Sequence, residues 1–200
     1  MPVTGSTVRV KNSKIKKRLL VSVLLFALAG NVIFLQKQIV LADSDFKKKG
    51  VIYLTFDDGP HPLYTPILLN LLDKYGAKAT FFPLGKRLEE RWKSTEMQDL
   101  LNRGHAVGNH TWGHLTLPNL SRAGVKRQLE RGSDVIEERA GFRPVCFRAP
   151  YGEINYMVIE EARSLGMQHI SWDADPQEWR LPSVEEALEH IKSRIFDGAV

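Results

Sequence analysis

Four short clusters combine residue types that can hold a cation and move a proton. Thr55-Phe56-Asp57-Asp58-Gly59-Pro60 sets two adjacent carboxylates before a Gly-Pro turn signal. Adjacent side chains at a strand end point in different directions, so one carboxylate can hold a cation while the other stays free as a base. A solvated acidic turn is the competing reading, and the commoner one for an Asp pair alone. Asn109-His110-Thr111-Trp112-Gly113-His114 spaces two imidazoles four residues apart. A single helical turn would bring both to one face, which suits one divalent ion. On spacing alone, two surface or capping histidines stand as an equal alternative. A carboxylate from a neighbouring strand end would complete a facial set of two nitrogens and one oxygen, leaving positions open to water and substrate.

The third cluster is Arg148-Ala149-Pro150-Tyr151-Gly152. A fixed guanidinium can orient a carboxylate, and a rigid Pro turn can present backbone N–H groups to a developing oxyanion. The fourth is Trp172-Asp173-Ala174-Asp175-Pro176-Gln177-Glu178-Trp179, whose acids could anchor Arg148 and whose indole could wall a small apolar pocket or stack on a sugar face. Taken singly, each also reads as a surface Arg with a packing Tyr, or as an acidic loop with tryptophans in the core.

These clusters need elements that bring them to one place. From Gly50 onward, short β-branched or apolar runs alternate with segments of helical period. The pattern predicts strands over 51–56, 79–84, 105–110, 145–149 and 168–172. It predicts helices over 65–75, with Thr65 as cap and Pro66 first, and over 96–102, 122–139, 155–165 and 184–195. Strict alternation implies a parallel sheet or barrel with helices outside, and all four clusters then lie just past strand C-termini, where such folds build sites. Gly198-Ala199-Val200 reads as the opening of a sixth strand, cut short, which would leave a neighbouring edge unpaired.

Composition narrows the partners. The chain has 200 residues, 43% apolar and 26% charged, within the range of ordinary globular domains. Its net charge of +5 is local: residues 1–42 hold seven of the 28 bases and none of the 23 acids, so the remainder carries −2. A slightly acidic folded region has no electrostatic reason to bind phosphate backbones, which argues against DNA or RNA as partner. Six bases from Arg9 to Arg18 precede an apolar run from Leu19 to Leu35, the order of parts in an export signal. As a helix that run spans roughly 25 Å against a hydrocarbon core of roughly 30 Å, so both a cleaved signal ending near Ala42 and an uncleaved membrane anchor stay open. Either places the rest outside the cytoplasm, with membrane contact only through residues 1–42. The expected organisation is 1–42 signal or anchor, 43–50 linker, and 51–200 one domain. Lone Cys146 allows no internal disulfide and reads as a small buried hydrophobe. Oligomeric state is not legible.

In order and placement the clusters resemble the polysaccharide deacetylases of the NodB-homology family, carbohydrate esterase family 4. TFDDGP matches the first motif, HTWGH the second, RAPY the third, and DPQEW is similar to the fourth. The resemblance implies a distorted (β/α) barrel, here lacking its last strand, that removes N-acetyl or O-acetyl groups from amino-sugar polymers such as peptidoglycan or chitin-like oligosaccharides. It implies one divalent metal, often zinc. Carried over by motif, Asp57 is the general base, Asp58, His110 and His114 are metal ligands, Arg148 orients Asp57, and Tyr151 contributes a backbone N–H to an oxyanion hole. Asp175 tethers Arg148, and Trp179 lines the acetate pocket. Glu178 stands where the fourth motif usually has Asp. The family's Leu-x-His general-acid motif has no match, and none of His61, His105, His169 or His190 fits that role by motif. A metal-retaining, catalytically impaired glycan-binding relative is therefore the alternative.

Overall fold

Among the described residues five parallel strands build the scaffold, and four of them, the first, third, fourth and fifth, lead into the clusters that carry the chemistry. The computed structural model describes residues 50–200. The expected export segment and almost all of the 43–50 linker lie outside the described residues. Strands β1 (Leu54–Asp57), β2 (Ala79–Phe82), β3 (Ala106–Val107), β4 (Cys146–Phe147) and β5 (Gln168–His169) alternate with helices. These are α1 (Tyr64–Lys74), α2 (Gly85–Arg91), α3 (Ser94–Asn102), α4 (Arg122–Ala140), α5 (Tyr156–Ser164) and α6 (Val184–Lys192).

Pairing runs β1–β2–β3 and β4–β5, all parallel, with Asp57 opposite Phe82 and Phe147 opposite His169. Asn109 joins the two sheets by a parallel bridge to Phe147. The series then returns to its start. Gly198 N–H donates to the Val51 carbonyl at 2.7 Å and Tyr53 N–H to that of Ala199 at 2.8 Å, while Asp173 and Ala174 N–H both donate to Val200 O. In place of the expected sixth strand, a turn and two irregular residues bond to the Val51–Tyr53 edge, which is not left unpaired. The architecture is a distorted (β/α) barrel.

Two buried clusters hold it. One joins Leu69, Phe81, Leu88, Met97, Leu100 and Ile136, and the other Leu117, Val125, Leu129, Phe147, Val158 and Met167. Each such side chain contributes about 1.5–3 kcal/mol when fully buried. Helix α4 serves both clusters because its apolar positions recur at helical spacing over 19 residues. Ser121 caps its start by accepting the Gly124 N–H, and Gly141 ends it at φ 83°. Cys146 is an inert packing residue whose thiol burial pushes up to about 11.

Three local expectations are corrected. Helix α2 was not expected, because GKRLEER has a single apolar residue, Leu88, and no stripe. Thr65 does not cap α1: its hydroxyl accepts the His61 N–H, while His61 Nδ1 accepts the N–H groups of Leu63 and Tyr64. Strand β1 begins later than expected and runs into Asp57. Among the described residues no helix is long and apolar enough to cross a membrane.

Candidate active site

At the end of β1 the period-two alternation puts Thr55 and Asp57 on one face. Both meet Arg148, whose Nη1 donates to Thr55 Oγ1 at 2.7 Å and to Asp57 Oδ1 at 2.9 Å. Arg148 is only 2% exposed, and its other donors are taken by main-chain carbonyls, Nε by Ile170 O and Nη2 by Ser171 O. The guanidinium also lies 4.4 Å from the Phe82 ring centroid. A buried charge with all sides of its fork engaged is fixed in direction, and so is the carboxylate it holds.

Asp58 turns the other way. Its backbone is left-handed at φ 65°, and its carbonyl accepts a hydrogen bond from Arg87 Nη1 on α2. Its Oδ1 lies 3.5 Å from His110 Nε2 and 3.2 Å from His114 Nε2. Asp58, His110 and His114 form a group whose ligand atoms all lie within 4.8 Å of one another.

The two histidines do not converge through a helical turn, as their spacing suggested. Residues 110–114 form an irregular loop with Thr111 at φ 69° and His114 at φ 58°. Its peptide groups are tied down on every side. Gly85 and Lys86 at the start of α2 donate to the carbonyls of Thr111 and Trp112, and Trp112 N–H donates to Gln128 O on α4. Trp112 is sandwiched further, its Nε1 on Glu89 and its ring 3.5 Å from the Arg131 guanidinium. Left-handed non-glycine residues cost about 1–3 kcal/mol each and cluster where a site demands them. Tyr151 is another, at φ 61°, with its ring edge against His114 at 4.7 Å.

Protons decide whether the three groups suit a cation. His110 Nδ1 donates to the Arg148 carbonyl at 2.8 Å, which leaves a lone pair on Nε2. Burial lowers the His110 pKa, favouring this neutral form, with the negative charge of Asp57 pulling the other way. Asp58 Oδ1 is buried and accepts no hydrogen bond, although the side chain as a whole is half exposed. An orphaned carboxylate oxygen facing an imidazole lone pair is unfavourable by itself. A divalent cation between them removes the conflict, and the donor set fits one.

Two expected contacts are absent. Asp175 does not tether Arg148; its Oδ1 accepts the Gln177 N–H in a local turn, and carbonyls of Ile170 and Ser171 occupy the guanidinium instead. Glu178 is not among the hydrogen-bond partners of Arg148 either. Trp179 is 73% exposed. The indole beside the site is Trp172, 5.7 Å from the Arg148 guanidinium and packed so closely under the Tyr151-Gly152 turn that a Cβ at Gly152 would lie 2.8 Å from it. Thr55, Arg87, Asn109 and Trp172 carry geometry that residue type and spacing did not reveal. Of the remaining histidines, His105 precedes β3 at the far end of its strand, His169 lies within β5, His190 lies on α6, and His61 caps α1.

Known proteins resemble this chain in sequence and in fold. A chitooligosaccharide deacetylase of Azorhizobium caulinodans is 35% identical over 150 residues, covering 74% of this chain and 70% of its own length. A peptidoglycan-N-acetylglucosamine deacetylase of Bacillus cereus is 37% identical over 152 residues, 75% of this chain and 70% of its own. Among solved structures, the peptidoglycan deacetylase PdaC of Bacillus subtilis superposes with a TM-score of 0.68 at 37% identity, over 76% of this chain and 72% of that one. The profile of the polysaccharide deacetylase family matches residues 45–170, a span that takes in β1 through β5 and the Asp-His-His group. By sequence and by fold, this chain belongs to the polysaccharide deacetylases, the hydrolases of the NodB-homology type.

Proposed function

We propose that this protein is a metal-dependent deacetylase that removes N-acetyl groups from an amino-sugar polymer of the peptidoglycan or chitin-like class, using one divalent ion, zinc. The observation that carries the reading is the buried, hydrogen-bond-free Asp58 Oδ1 facing two imidazole Nε2 atoms, with Asp57 held separately by Arg148. Two nitrogens and one carboxylate are donors that zinc accepts readily while keeping positions open. The named activities of the relatives support the substrate class.

A cation held by Asp58, His110 and His114 would supply Lewis acidity, polarising an acyl carbonyl and making an adjacent water acidic near neutral pH. Asp57, its direction fixed by Arg148, receives the proton of the attacking water and passes it to the sugar nitrogen as the C–N bond breaks, so that the amine leaves neutral and the acetyl group departs as acetate. The Tyr151 N–H, presented by the turn after Pro150, donates to the oxygen on which negative charge develops. Trp172, beneath that turn, excludes water beside Arg148. Residues 1–42 direct export, so the domain works outside the cytoplasm on cell-wall or extracellular glycan.

The test is acetate release from N-acetylglucosamine oligomers by the zinc-loaded chain. Turnover lost in Asp57→Asn and in His110→Ala is the expected result. Undiminished turnover in either variant contradicts the mechanism, and metal and glycan binding without acetate release would mark a non-catalytic relative.

A further inference from the structure

We infer that Asn109 is a positioning residue for the cation site, setting the direction of both imidazoles by clamping the Thr111 peptide against α4. The inference rests on the cation reading above. Asn109 is 0% exposed and spends every polar atom. Its Oδ1 accepts the Thr111 N–H at 2.6 Å, and its Nδ2 donates to Leu129 O at 2.8 Å and to Ser133 Oγ at 2.9 Å, both on α4. Its main-chain N–H donates to Cys146 O, and its carbonyl accepts the Arg148 N–H. One residue therefore joins β4 and the Arg148 that follows it, the long helix α4 and the histidine loop.

His110 sits between two peptides that Asn109 fixes, one through β4 and one through its own side chain. The second is the demanding one. Thr111 is β-branched and stands at φ 69°, a conformation such residues avoid, so its N–H must be paid for by a well-placed acceptor. Its Oγ1 then accepts the His114 N–H at 3.1 Å, passing the constraint to the second imidazole. The approach is so close that a Cβ at Gly132 would lie 2.6 Å from Asn109 Oδ1. An asparagine that only filled the core would need no such aim at the loop.

The experiment measures zinc affinity by competition with a chromophoric chelator, alongside thermal unfolding, for wild type, Asn109→Ala, Asn109→Asp, Ser133→Ala and His110→Ala. Asn109→Ala removes the acceptor for Thr111, and its affinity is expected to fall about 10- to 100-fold, the usual cost of losing an outer partner of a ligand. Asn109→Asp keeps that acceptor and loses the donation to Leu129 O. Its melting temperature is expected to drop while its zinc affinity stays within about threefold of wild type, a split that a purely structural role would not give. Wild-type affinity in Asn109→Ala, or equal loss in Asn109→Asp and Asn109→Ala, overturns the inference. Should Asn109→Ala fail to fold, Asn109→Asp decides: a lowered melting temperature with zinc affinity within about threefold of wild type supports the clamp, and affinity reduced about tenfold or more overturns it. Ser133→Ala, which keeps the Leu129 O anchor, is expected to match Asn109→Asp in affinity. Failure of wild type itself to bind zinc, or wild-type binding by His110→Ala, would instead remove the cation reading.

Discussion

Arg148 and Asp57 meet at 2.9 Å, and the nitrogen that makes this contact also donates to Thr55 two residues earlier on the same strand. The pair is the inner half of the site. Asp58, the very next residue, faces outward to the two histidines, so adjacent carboxylates serve opposite sides of one strand end. The left-handed backbone at Asp58 makes this divergence possible, and the Arg87 bond to its carbonyl holds it.

Arg148→Met is the direct probe of the inner half. It leaves the Ile170 and Ser171 carbonyls without their donor and Asp57 without its cation. Unfolding in urea is expected to show a loss of about 3–5 kcal/mol, the cost of breaking a buried pair by removing one partner. Arg148→Lys is expected to recover little, because a point charge cannot reproduce a fork that serves four acceptors.

Gly132→Ala tests the packing that seats the histidine loop. A methyl there meets Asn109 Oδ1 at 2.6 Å and the Thr111 main chain at 3.1 Å. Helix propensity alone would favour alanine by up to about 1 kcal/mol. Overpacking of about 1–3 kcal/mol is expected to outweigh it and lower the melting temperature. A stabilised variant would show that the close approach is not real.

Acid sensitivity is expected from His105 and His169, which have no direct part in the site. Burial lowers both pKa values from the ordinary 6.5, and the Nε2 of each lies buried without a hydrogen bond. Above pH 6.5 both are neutral folded and unfolded, and the full stability is present. As the pH falls below 6.5, the unfolded chain takes up protons that the folded chain resists, so stability declines. His105→Asn, which can keep an acceptor for the Ala79 N–H now bonded to Nδ1, is expected to flatten this decline between pH 6.5 and 5. Melting temperatures across that range check it, and an unchanged slope would contradict the assignment.

The two tryptophans of the fourth cluster are expected to behave differently. Trp172 packs under Gly152 beside Arg148, whereas Trp179 faces solvent. Trp172→Ala is expected to lower kcat/KM on an acetylated oligomer by about tenfold or more, through loss of the wall that positions the Tyr151 turn. Trp179→Ala is expected to stay within about twofold, as exposed substitutions usually do. The reverse ranking would restore Trp179 to the pocket.

Much of this was legible before any coordinates, and the remainder has identifiable reasons. Helix α4 announces itself through a long amphipathic period stopped by Gly141, and its observed span differs from the expected 122–139 by one residue. Helix α2 has only Leu88 to bury and takes its place from tertiary contacts with the histidine loop, so no period betrays it. The Asp58, His110 and His114 grouping could be suspected from residue types, yet the spacing pointed to a helical turn where a loop with two left-handed residues does the work. The partners of Arg148 were misread because two of them are main-chain carbonyls, which every sequence supplies and none advertises. The role of Asn109, which opens the second cluster, escaped for a similar reason: one amide between two histidine-loop peptides has no spacing signature.

The central claim is that Asp58, His110 and His114 hold one cation. Purified protein should be dialysed free of metal, titrated with zinc in a calorimeter, and compared with Asp58→Ala and His114→Ala prepared in parallel. One equivalent bound by the wild type, with affinity reduced at least about 100-fold in each variant, is the expected result. Zinc bound equally well by all three proteins, or by none, would contradict it.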